Sequence, residues 1–204
     1  PLLRGREFLW IETHTVYATV EEAMDQVKED MKVAQKVLYE ECGLPFLMMD
    51  RPEWDRFAGA KRTYGFDTLL PDGRVLQVGT THLLGDNFSK VFDIRFDDKD
   101  GNKKYAQQTC YGPGISRIAA SVICIHGDDY GLILPFDMAP IQVVIVPVIF
   151  KGEQKPIMKK CEDFKKLLED AGIRVKLDDR DLSAGSKFYY WELMGTPFRL
   201  EIGP

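Results

Sequence analysis

At 204 residues, with 45% hydrophobic and 29% charged positions, the chain has the size and composition of one large globular domain or two small ones, which excludes disordered, collagen-like and coiled-coil classes. A formal net charge of -5 argues against strong non-specific nucleic-acid binding while leaving room for a local basic patch. The longest apolar run, Val143 to Phe150, has eight residues including a proline, far short of the ~20 that span a bilayer.

The clearest helix is expected from Val20 to Cys42. Thr19 and Glu22 form a capping box, Val27, Met31, Ala34 and Leu38 recur on one face, and Gly43 with Pro45 ends the element. Leu44 to Met49 reads as a short strand. Thr63 to Leu70 and Arg74 to Thr80 flank Pro71-Asp72-Gly73 and predict a hairpin. A second hairpin is predicted from Phe92–Phe96 and Tyr105–Thr109 around an acidic loop, 97–102. In EF-hand register that loop would put Phe96 and Gln107 at the first and twelfth ligand positions, so it is a turn and not a calcium site.

Ile118 to Ile125 is a buried helix ending at His126-Gly127, and Leu132 to Leu134 a short strand. This first part mixes antiparallel strands with helices, an α+β pattern. After a linker at Pro140 the rhythm changes. Gln142–Ile149 is a β-branched strand, Pro156 opens a helix with Ile157, Cys161, Phe164 and Leu168 on one face, Ile173–Leu177 is a strand, Ser186–Met194 a helix and Phe198–Ile202 a strand. Right-handed β-α-β-α-β crossovers imply a parallel α/β sheet. The two domains are therefore expected at 1–139 and 140–204. The acidity belongs to the first part: residues 1–150 hold 16 Lys and Arg against 22 Asp and Glu, and residues 151–204 hold 11 against 10.

Four cysteines, 68, 14 and 37 residues apart, form no C-x-x-C pair, and three histidines show no metal-ligand spacing, so no protein-only metal site is expected. The cysteines read as buried or semi-buried thiols in a reducing cytosol. Three segments carry chemistry. Arg4-Gly5-Arg6 precedes a strand-like apolar run, with arginine suited to bidentate phosphate contact. On the strand Gln77 to His82, simple alternation puts Gln77, Gly79 and Thr81 on one face and Thr80 and His82 on the other. Gly112-Pro113-Gly114-Ile115-Ser116-Arg117 brings an arginine to a helix N-terminus, a geometry for anions that matches neither the P-loop nor the dinucleotide fingerprint.

Leu3-Arg4-Gly5-Arg6-Glu7-Phe8-Leu9-Trp10-Ile11-Glu12-Thr13-His14-Thr15 closely resembles the segment after motif 2 in class II prolyl-tRNA synthetases of the archaeal and eukaryotic type. Leu76 to His82 with Gly85 to Lys90 is similar to that family's next active-site strand, and Ile115-Ser116-Arg117 through Leu132-Ile133-Leu134-Pro135 to its motif 3. Asp178 to Asp181, Trp191-Glu192, Gly195, Pro197 and Arg199 through Pro204 resemble the anticodon-binding domain shared by several class II enzymes. Gly5 stands where many members have Thr, and the segment from Tyr111 to Arg117 is about one residue longer than the commonest spacing. Motif 1, a Thr-x-Glu loop and the motif 2 Arg-x-Glu would precede Pro1, so the chain is expected to be a fragment that is inactive alone.

The resemblance implies an antiparallel class II catalytic core, in part, followed by a truncated α/β anticodon-binding domain. The implied reaction joins L-proline to its tRNA through prolyl-adenylate, using ATP with Mg2+. The resemblance further implies a cytoplasmic homodimer with no membrane role. Arg4 and Arg117 match the catalytic, ATP-phosphate arginines; Gln77 and Thr80 match nucleotide positions, with the magnesium near Gln77. Trp10, Glu12, Phe57 and His82 match the proline pocket, and Phe188, Glu192 and Arg199 match readers of the anticodon guanines. Two other readings stay open: an inactive tRNA-binding paralogue, and a class II synthetase for threonine, histidine or glycine.

Overall fold

The computed structural model describes residues 3–149 and 154–204. The chain divides into two compact units, 1–124 and 125–204. The expected boundary at Pro140 differs from this division because residues 125–139 pack with the second unit. Arg174 donates to the carbonyls of Phe136, Asp137 and Ala139, and the Leu132 and Leu134 amides donate to Leu193 O and Gly195 O. Leu132–Leu134 makes those isolated bonds and is not a strand.

In the first unit, β1 (Thr13–Tyr17), β2 (Leu47–Asp50), β3 (Arg62–Leu69), β4 (Val75–Gly85) and a later strand at Gln107–Pro113 form one antiparallel sheet. Two short strands, β5 (Arg95–Asp97) and β6 (Lys103–Tyr105), make a separate hairpin, so the Gln107–Pro113 strand is β7 and the main order is β1-β7-β4-β3-β2. The expected second hairpin thus closes earlier than Thr109: Tyr105 ends it, and Gln107 onward enters the main sheet between β1 and β4. The acidic loop is the expected turn, closed by Gly101 N–H to Asp98 O and by Lys104 against Asp98 and Asp100.

Helix α1 (Val20–Ala34) lies on one face of this sheet. Both bonds of its Thr19/Glu22 capping box form, and Ala23 and Val27 pack on Leu83 with Tyr17, Met24, Met31 and Tyr64 around them. Full burial of a residue such as Val27 contributes about 1.5–3 kcal/mol. Where one helix to Cys42 was expected, Gln35–Glu41 winds as a π-helix; Cys42 N–H reaches Val37 O, and Gly43 at φ +60° closes the end. Asp30, on the buried stripe, accepts from Gln26 Nε2 and Thr81 Oγ1, which offsets part of its burial; desolvation still raises its pKa. A short helix α2 (Asn87–Val91) follows β4, and α3 (Ile115–His126) starts three residues earlier than its apolar run suggested.

The second unit has the expected parallel sheet. The central strand β8 (Val143–Pro147) pairs with β9 (Val175–Leu177) on one side and β10 (Phe198–Ile202) on the other. Helix α4 (Gln154–Asp170) covers one face through Ile157 and Cys161 on Ile145 and Ile202, and α5 (Ala184–Leu193) the other through Trp191 on Val144 and Val146. Phe164 departs from its expected core position and is 44% exposed. Among the described residues no helix is long and apolar enough to cross a membrane.

Candidate active site

The face of the sheet opposite α1 carries the site. Across it the pairing sets His14 (β1) beside Cys110 (β7), Cys110 beside His82 (β4), and His82 beside Thr63 (β3), one row of side chains on one face. Two residues along, Thr80 is flanked by Gly112 and Gly65. Neither glycine sits there by chance of composition. The Trp10 ring lies 3.3 Å from where a Cβ on Gly112 would be, and the Arg51 guanidinium fills the space over Gly65. The two missing side chains let an indole and a guanidinium lie close over the sheet as walls.

Gln77 reaches this face by an irregularity. Phe66 pairs with Gly79 and Asp67 with Gln77, so Val78 is a β-bulge. The extra residue shifts the alternation, and Gln77 joins Thr80 and His82 in place of the expected Gly79 and Thr81. Thr81 points to the α1 side and bonds Asp30.

The result is a cavity of ≈ 370 Å³ lined by Trp10, Glu12, Phe57, Gln77, Thr80 and His82, all expected at the site, together with Arg51, Arg56 and Cys110, which were not. Thr63 Oγ1 accepts from the Phe57 amide at 3.1 Å and lies 3.0 Å from His82 Nδ1. The Thr63 hydroxyl thus ties the Phe57 backbone to one ring nitrogen of His82 and fixes the orientation of the imidazole. Burial lowers the His82 pKa despite the opposing field of Glu12, so the ring is neutral at pH 7. The Phe57 ring stacks at 5.0 Å on His82. Cys110 contacts Glu12 Oε1 at 3.5 Å, and its thiol is pushed up to about 12, first by burial and then by that carboxylate.

Arg4 and Arg117 line an adjoining recess of ≈ 370 Å³ that shares Gln77 with the cavity. Arg117 Nη1 donates to Gln77 O at 3.0 Å and Nε to Leu3 O at 3.2 Å, so one guanidinium joins the start of α3 to β4 and to the segment before β1. That segment, expected as strand-like at Phe8–Trp10, is irregular. It runs beside α3 through reciprocal Leu9 and Ser116 bonds. The recess is lined by three arginines, Arg74 included, and no carboxylate.

In the second unit Arg199 stacks at 4.2 Å over Phe188 and pairs with Glu201 at 2.8 Å, while Glu192 is exposed one helical turn beyond Phe188. Behind them Asp178, 1% exposed, accepts from Arg180 Nε and Nη2 and from Trp191 Nε1. That network was missed by sequence reasoning, although the carboxylate and the indole stand 13 residues apart within the segment that carried the resemblance.

Residues 1–126 match the family model of the tRNA synthetase class II core domain (G, H, P, S and T), and residues 142–204 that of the anticodon binding domain. A proline–tRNA ligase of Thermofilum pendens is 55% identical over 205 residues, covering 100% of this chain and 42% of that protein. The proline–tRNA ligase of Methanopyrus kandleri is 48% identical, again across 100% of this chain and 42% of its own length. The chain therefore spans less than half of these relatives. A crystal structure of prolyl-tRNA synthetase from Cryptosporidium parvum, complexed with L-proline and AMP, superposes with a TM-score of 0.90 at 40% identity, over 100% of this chain and 44% of that one. With its antiparallel core, its arginine-lined recess and the parallel-sheet unit that follows, this chain belongs to the class II tRNA synthetases.

Proposed function

We propose that the complete polypeptide containing this chain attaches L-proline to its tRNA through prolyl-adenylate. The observation that carries this reading is the single shared wall at Gln77. On one side stands a cavity with aromatic faces, a neutral imidazole and the carboxylates of Glu12 and Asp55 among the guanidiniums of Arg51 and Arg56, and on the other a recess lined by three arginines. A pyrrolidine ring packs on Trp10 and Phe57, and its cationic amine is attracted to Glu12 and the ring faces. Arg4 and Arg117 suit the phosphates of ATP. The proline carboxylate oxygen attacks the α-phosphorus in line and pyrophosphate leaves, a step that needs positioning and charge stabilisation but no protein nucleophile. The donor set fits the metal that accompanies ATP. Magnesium takes hard oxygens, Gln77 and Thr80 offer neutral ones, and phosphate supplies the rest. When bound, the ion would neutralise charge on the phosphates.

Under this reading residues 1–139 serve as catalytic core and 140–204 as anticodon-binding domain, in a cytoplasmic homodimer. The deciding experiment is ATP–pyrophosphate exchange by the complete protein, stimulated by proline; equal stimulation by threonine, histidine or glycine, or none at all, would overturn it. Phe57→Ala should weaken proline binding about 10-fold or more and leave ATP binding near normal, because the half-exposed ring faces the cavity and not the recess. Titrating each ligand separately checks this, and equal losses would assign Phe57 to support of the fold.

We propose too that Phe188, Glu192 and Arg199 read the guanines of the proline anticodon by stacking, by acceptance from N1 and N2 and by donation to O6 and N7. Glu192→Gln should cost about 1–3 kcal/mol in binding of proline tRNA and narrow discrimination against altered anticodon guanines. A lower melting temperature with discrimination intact would remove Glu192 from the reading surface.

A further inference from the structure

We propose that Glu12, His14 and Cys110 form a site for a divalent transition metal of the zinc class, set in the sheet beside the cavity. His14 and Cys110 are direct partners in the β1–β7 pairing, and Glu12, just before β1, contacts both of them through its carboxylate. Their donor atoms all lie within 4.8 Å of one another. His14 Nε2 is 3.4 Å from Glu12 Oε2, and Cys110 Sγ is 3.5 Å from Glu12 Oε1. A tetrahedral ion with bonds of about 2.0–2.3 Å separates its ligands by roughly 3.3–3.6 Å, the range in which each of these two contacts falls, one through each carboxylate oxygen of Glu12.

The donor chemistry is selective. Thiolate, imidazole and carboxylate together suit zinc, whereas magnesium and calcium prefer all-oxygen shells. On coordination Cys110 loses its proton to solvent and the ion takes the thiolate. An independent observation marks the fourth position. Gln108, two residues before Cys110 on the same strand face, lines the same recess as all three ligands, and its buried Oε1 has no hydrogen-bond partner. An unpaired acceptor lining the same recess would bind the ion or accept from a water on it. Phe57, Leu84, Phe88 and Phe92 give the recess an apolar wall that limits competition from solvent. The site escapes sequence inspection because Cys110 lies 98 residues from Glu12 and a lone Glu-x-His pair carries no metal signature.

Glu12 and Cys110 also line the cavity, so an ion on Glu12 would compete with the cationic proline amine for that carboxylate. The test needs neither proline nor nucleotide and so stands apart from the proposed reaction. The complete protein, its His14→Ala variant and its Cys110→Ser variant are dialysed against zinc and then buffer, and bound metal is counted. Each variant should hold one zinc per chain fewer than wild type. Cobalt-loaded wild type should show a thiolate-to-cobalt band in the near ultraviolet that weakens in Cys110→Ser. His14 is 57% exposed at its side chain, so His14→Ala keeps the fold, and zinc should raise the melting temperature of wild type but not of that variant. Equal metal content in all three proteins, or loss in Cys110→Ser with full retention in His14→Ala, would overturn the site.

Discussion

Arg117→Ala is expected to lower the proline-dependent exchange rate of the complete protein at least about 100-fold, the usual consequence of removing one preorganised charge stabiliser. The geometry explains why the side chain is preorganised. Two of its N–H groups are spent on Leu3 O and Gln77 O, which lock the guanidinium plane, and the remaining donors face the recess shared with Arg4. A locked fork presents charge to the phosphates without an entropic cost at the moment of reaction. Arg117→Lys should recover only a small part of the rate, because an ammonium keeps the charge but cannot hold both carbonyls in one plane. The measurement is kcat and KM for ATP and proline, with circular dichroism to establish folding. Proline KM should stay nearly constant while kcat falls. A folded Arg117→Ala variant within threefold of wild type would make Arg117 a clasp between segments, and the recess would lose its nucleotide assignment.

Much of this site was legible because the residues that carry it lie in short strings that resemble the motifs of the prolyl-tRNA synthetase family. Trp10, Glu12, Gln77, Thr80 and His82 were named from such strings and converge on one cavity. What local pattern could not give is cross-strand placement. The bulge at Val78 moves Gln77 to the other face, and nothing in Leu76-Gln77-Val78-Gly79 distinguishes a bulged from a regular strand. Gly65 reads as an ordinary weak point in a strand until the Arg51 guanidinium is seen over it, held by Asp67 at 2.6 Å. β1 has burial alternating only between half-buried and exposed positions, so it lacks the apolar contrast that reveals an inner strand. The Leu132–Leu134 segment has strand composition but docks singly on Leu193 and Gly195, where Gly195 at φ +70° makes the close approach feasible. Parallel strands covered on both faces, by contrast, write a continuous apolar run, which is why β8 was found near its true limits.

The second large expected effect concerns Asp178 in the parallel-sheet unit. Its carboxylate is 1% exposed and accepts from Arg180 and Trp191, while the buried Lys187 Nζ donates to Asp178 O at 3.0 Å. The Arg180 bonds, ahead of the opposing desolvation, hold its pKa down to about 2. A folded pKa below the unfolded value of ~3.9 means that stability from this group is fully present above about pH 4 and is lost as pH falls through about 2. The difference corresponds to roughly 2–3 kcal/mol at neutral pH. Asp178→Asn keeps the shape but removes the charge and one acceptor oxygen, leaving a guanidinium, an indole N–H and one carbonyl to be reconciled. The expected destabilisation is about 3 kcal/mol, measured as a lowered denaturant midpoint at unchanged slope. Because the wild-type advantage is electrostatic, the gap between the two proteins should shrink steadily from pH 4 downward and nearly close around pH 2. A gap of constant size across that range would mean that packing around Trp191, and not the ionised carboxylate, sets the loss.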